Sequence, residues 1–142
     1  MVRESGGTPT SSNMITPAQG YILGMAGNSA MCVALPRKQT TDIYLNGTQI
    51  QDNDEADAGW RFMGITGALA CGAVYLADKN ISNADDRKML NGAIAANAIA
   101  STAMFVAHPF MENTVKTEMR WLNAGIQAGV GALALKALID KK

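Results

Sequence analysis

Four stretches of this chain carry almost no charge, and they constrain its fold more than any other feature. They are residues 17–35, 62–77, 89–108 and 121–139, the last with Lys136 one turn from its end. A helix needs about 17–25 apolar residues to cross a bilayer, and each block is at or near that length. Charged residues make up only 17% of the chain and gather between the blocks.

The punctuation is helical. Thr16-Pro17-Ala18-Gln19 has the layout of a capping box, with proline at the first helical position and glutamine at the third. Pro36 ends that helix at Leu35, because the residue before a proline avoids helical geometry. Asn83 supplies a cap for the third helix, and Asp85 and Asp86 suit the positive end of its dipole. His108-Pro109 closes it, while Lys136, Lys141 and Lys142 complement the carbonyl end of the fourth.

A mean hydropathy of only +0.02 would also suit a soluble four-helix bundle. Such a bundle sets charges opposite its apolar stripes. Here the faces opposite the large apolar residues carry Gly, Ala, Asn and Ser. The expected fold class is therefore all-α, a bundle of four transmembrane helices near 16–35, 60–78, 84–108 and 117–139. These form one membrane domain, 16–142, behind a polar tail of residues 1–15 and with one long polar loop over 37–59. The tail has neither the apolar core of a secretory signal nor the arginines of a mitochondrial presequence. An ordered tail would point to a neighbouring subunit that holds it.

Composition removes several function classes. Twelve basic and twelve acidic side chains cancel, so nucleic acid is not an expected partner. Cys32 and Cys71 lie apart in apolar blocks, without zinc-ligand spacing. The acidic run Asp52-Asn53-Asp54-Glu55-Ala56-Asp57 lacks the turn glycine and distal acid of a calcium loop and reads as solvated acids before a helix. No metal site and no catalytic residue is expected. His108 is the single histidine, so a catalytic set would have one base at most.

Candidate cofactor-binding residues are His108, Asn97 and Gln127. His108 offers an axial ligand to a magnesium porphyrin or haem, or else an interfacial residue before Pro109. Asn28, Asn97 and Gln127 lie within apolar blocks, where an amide must find a partner in another helix, a pigment or a quinone. Gly20/Gly24, and Gly125/Gly129 with Gly131, make small-residue faces for close helix packing. Trp60-Arg61 and Arg120-Trp121 form paired anchors at one membrane surface.

The layout resembles the DoxX-like class of small four-helix membrane proteins. The likeness lies in the first helix ending at Leu35-Pro36, the polar loop, the acid-x-x-x-Arg-x-x-Gly opening of helix two (Asp57, Arg61, Gly64) and the turn Asp86-Arg87-Lys88. It spans residues 15–139 and implies four membrane helices without a uniform activity. A light-harvesting likeness fails, because Glu55 to Gly59 and then Arg61 sets the arginine one place too far along.

The expected function is a non-catalytic accessory subunit of a large energy-transducing membrane complex. An algal thylakoid photosystem, with chlorophyll and carotenoid as candidate cofactors, is favoured by Ala/Gly-rich helices, 6% aromatic residues and a pI near 6.5. The alternatives are a mitochondrial respiratory or ATP synthase complex, and a small lipophile-binding carrier or enzyme. Expected partners are other subunits and lipids. Lys and Arg count seven on the side of the two termini and five on the other, placing both termini on the cytosolic, stromal or matrix face. Protease added to that face of sealed vesicles should remove tail and C-terminus alike; cleavage of the two from opposite faces overturns the even number of spans.

Overall fold

The computed structural model describes residues 15–46 and 54–140. Six helices follow in order: α1 (Pro17–Ala34), α2 (Arg37–Tyr44), α3 (Asp54–Asn80), α4 (Ala84–Ala107), α5 (Pro109–Thr114) and α6 (Thr117–Ile139). No strand occurs among the described residues, apart from a single bridge between Leu45 and Val115. The chain is all-helical, and α3, α4 and α6 are long and apolar enough to cross a membrane. The 18-residue α1, with Gln19, Asn28 and Ser29, is not among them.

Both caps form as the sequence implies. Thr16 Oγ1 accepts from the Gln19 N–H at 3.1 Å, and the Gln19 side chain accepts from the Thr16 N–H at 2.9 Å. Asn83 Oδ1 accepts from the Asp86 N–H at 2.7 Å. The turn between α3 and α4 is tied by Arg87, which donates to the Asp78 carboxylate and to the Asp78 and Ile81 carbonyls. That last pair satisfies carbonyls which the end of α3 would otherwise leave open.

Two expected connections are corrected. The long polar loop over 37–59 contains α2 and the first turn of α3. Pro36 stands at the N-cap of α2 without a side-chain hydrogen bond, and α2 holds only Ile43 and Tyr44 as apolar residues, too few to reveal it in the sequence. Helix α3 begins at Asp54 rather than near 60, and its early turns are tied by Asp57, which pairs with Arg61 one turn on, at 3.2 Å. The connection 109–116 likewise contains α5. The tail to residue 14, together with Asp52 and Asn53, lies outside the described residues.

The long helices alternate in direction. α4 packs along α6, α1 along α3, and α1 along α6. α3 and α4 touch little despite their short connection, so the helices make an open row, α3–α1–α6–α4, rather than a closed bundle. The core is small: Ala18 and Tyr21 of α1, Ile94, Ala95 and Ala98 of α4, Val130 and Ala134 of α6. Glycine sets the helix separations. A Cβ at Gly64 would lie 2.8 Å from Cys32 Cβ and 2.9 Å from the Ser29 carbonyl, and one at Gly24 would lie 2.8 Å from the Ile126 side chain.

The expected contact at Gly125 and Gly129 does not form within the chain. The buried face of α6 is Asn123, Ala124, Gln127, Val130, Gly131 and Ala134. At 3.6 residues per turn, 125 and 129 point away from that stripe, and a Cβ at either would meet nothing within 4 Å. Gly64→Ala should therefore lower stability by about 1–3 kcal/mol, read by thermal unfolding in detergent, because backbone stands in the way. Gly125→Ala should leave the midpoint unchanged or raise it; equal losses at both positions would refute this packing.

Candidate functional site

Four helix ends meet at one end of the row: the C-termini of α1 and α4 and the N-termini of α3 and α6. Two short segments close over them. The chain after α2 runs antiparallel to the chain after α5, with the Asn46 N–H donating to the Thr114 carbonyl and the Lys116 N–H to the Tyr44 carbonyl, both at 2.8 Å. Asn46 Nδ2 adds a bond to the Val115 carbonyl at 3.1 Å, and Lys116 Nζ donates to the Asp42 carbonyl. These bonds make a clasp between residues nearly 70 apart in sequence.

Beneath the clasp the polar groups satisfy one another. The Tyr44 hydroxyl donates to Asn28 Oδ1. Asn28 Nδ2 donates to Asn123 Oδ1 at 3.2 Å, and Asn123 Nδ2 donates to the Met119 carbonyl at 2.7 Å. The chain of bonds joins α2, α1 and α6 and uses both ends of each amide. Burial pushes the Tyr44 phenol above its ordinary pKa, with a smaller contribution from the neighbouring Cys32 thiol. The hydroxyl is held protonated, as a donor must be.

A half-open cavity of about 350 Å³ lies against this chain of bonds. Its apolar walls are Cys32 of α1, Trp60 and Met63 of α3, Phe105 of α4, and Met111 and Val115 of the clasp region. Between α5 and α6, Arg120 pairs with Glu112 at 3.8 Å, and the guanidinium lies over the Trp121 ring. Arg37 is buried with its guanidinium 3.7 Å from Asp57, which fastens α2 to the start of α3.

The sequence-derived candidates stand apart from this cavity. Asn97 is exposed on α4. His108 is exposed at the C-cap of α4, where its N–H bonds to the Met104 carbonyl and its own carbonyl accepts from Met111 and Glu112, joining α4 to α5. Gln127 is buried between α1 and α6, its Nε2 3.6 Å from Met25 Sδ. The three are not brought together. Among the described residues no group of three His, Cys, Asp or Glu could hold a metal ion.

Asn28 was visible in the sequence as an amide needing a partner. Tyr44, Asn123 and Trp60 were not visible as its neighbours. Tyr44 lies in a short, mostly polar segment, and Asn123 reads as part of a helix start. Their one shared signal is a polar group next to an apolar block, which is too common to select them. Comparison with protein-family models, curated proteins and solved structures finds no match. The DoxX-like resemblance thus rests on the residues quoted for it.

Tyr44→Phe leaves Asn28 Oδ1 without its donor and should cost about 1–3 kcal/mol near neutral pH. A phenol whose folded pKa is raised gives stability that is complete below the unfolded value, about 10, and is lost as pH rises beyond it. The gap between wild type and Tyr44→Phe should therefore narrow above about pH 10 in thermal unfolding. A constant gap would remove Tyr44 as the donor.

Proposed function

We propose that the chain is a non-catalytic accessory subunit of a larger membrane complex, with α1 as a fourth span beside α3, α4 and α6. The observation that carries this reading is the outward surface. Leu23, Phe62, Leu69, Leu76, Met89 and Ile139 are each at least 60% exposed. Only 11% of the apolar window of α3 is buried, and 33% of that of α6. Water would penalise such a surface heavily, at roughly 25 cal/mol per Å² of apolar area. Lipid and neighbouring subunits would not. Placing the less apolar α1 between α3 and α6 supports its span, since Asn28 and Ser29 find their partners inside the row.

Among membrane complexes we favour an algal photosystem over a mitochondrial assembly. Glycines with open space beside them, Gly27, Gly72, Gly125 and Gly129, leave flat ground on the outer helix faces where a chlorophyll or carotenoid ring would fit. Asn97 and His108 are both exposed, and we assign them to the contact with such a pigment. Gln127 serves the α1–α6 contact instead. A second reading, a small lipophile-binding membrane protein, is favoured by the apolar cavity beneath the clasp.

Carbonate washing of the native membranes should leave the protein in the pellet, and native electrophoresis should carry it with a pigmented complex. Release by carbonate would overturn the membrane spans. Migration alone would overturn the subunit reading, and migration with a respiratory complex would move it to the mitochondrion.

A further inference from the structure

We infer that the cavity beneath the clasp is a binding site for a single hydrocarbon chain, the tail of a membrane lipophile. The inference rests on the membrane reading for the source of that chain. Its 350 Å³ falls within the range of ligand pockets, roughly 300–1,000 Å³. Most such pockets orient their ligand with a few polar groups directed inward. Of the polar side chains that line this one, Tyr44, Asn28 and Asn123 are engaged with one another and with the Met119 carbonyl, while Thr114 also lines it and the Trp60 indole N–H is buried without a hydrogen-bond partner. The surface they leave is aliphatic, aromatic and thioether. A water molecule requires two to four polar partners, and so few polar groups in the lining suit a ligand that is almost wholly apolar.

Access comes from the lipid side. Met63 lines the cavity and is also 58% exposed, next to Phe62 at 67%, so the cavity wall continues into the outer apolar surface of α3. Arg61 and Arg120 stand at the same end of the row as the paired Trp60 and Trp121. Such residues mark the boundary between headgroups and tails. A chain entering past Met63 would leave its polar head at that boundary. Phe105 and Met111 offer adaptable walls to a tail without a fixed shape.

The two tryptophans and two cysteines of the chain make the test direct. With Trp121→Phe, Trp60 in the cavity wall is the remaining indole, and bromine quenches it at contact. Methyl dibromostearate added to the purified protein in detergent should quench Trp60 saturably, at one chain per protein. Cys32→Phe, which fills the cavity, should abolish the saturable part. A second measurement covers a filling variant that fails to fold. With Cys71→Ser, methyl stearate at about ten times its Kd should slow N-ethylmaleimide labelling of Cys32 about tenfold. Quenching that grows linearly with probe and survives Cys32→Phe, or labelling that methyl stearate leaves unchanged, overturns the site. Mass spectrometry of lipid retained by the native protein tells an acyl tail from an isoprenoid one. Saturable quenching of a protein that carbonate releases would keep the chain site while removing the membrane spans.

Discussion

Asn28 is the residue on which the arrangement at the capped end depends. Its amide lies in the middle of an apolar helix, where leaving either end unpaired would cost about 1–3 kcal/mol. One end accepts from Tyr44 and the other donates to Asn123, so the side chain fixes α2 above α1 and α1 against α6. The position of α2 then sets the bridge from Leu45 to Val115, and with it the roof of the cavity. A half-buried amide bonded at both ends favours one geometry, because each alternative leaves a donor or acceptor open.

Away from that end the helices hold together by closeness rather than by bulk. Gly64 and Gly67 face Ser29 and Cys32, Gly20 and Gly24 face Val130 and Ile126, and Gly131 faces Ala98. Small residues of this kind allow helix backbones to approach, and they gain van der Waals contact without needing water to be expelled. The large side chains point outward. This division is the reverse of a soluble bundle, and it suits a chain whose surroundings are apolar.

Part of the architecture was legible from residues 16, 28, 36 and 83 alone. Capping and proline rules act within a few residues, so Thr16, Pro36 and Asn83 announce their helix ends without tertiary information. The mid-helix amide of Asn28 announces a need for a partner, though not which partner. Tyr44 and Asn123 were hidden for the same reason: their role comes from contacts 16 and 95 residues away. Gly125 and Gly129 mislead in the opposite direction. Their spacing matches a packing motif, yet spacing names a face and not the neighbour it meets.

By itself, the sequence determined the helical class, the ends of α1, α4 and α6, and the alternation of apolar helices with charged turns. Each of these follows from local backbone chemistry or from the price of placing charge in an apolar medium. Tertiary structure decided the rest. It turned the supposed loop into α2 and the start of α3, set the helices in an open row, and left a half-open cavity between six segments. Those features arise where distant residues become neighbours, and a polar group beside an apolar block is compatible with many such pairings until packing selects one.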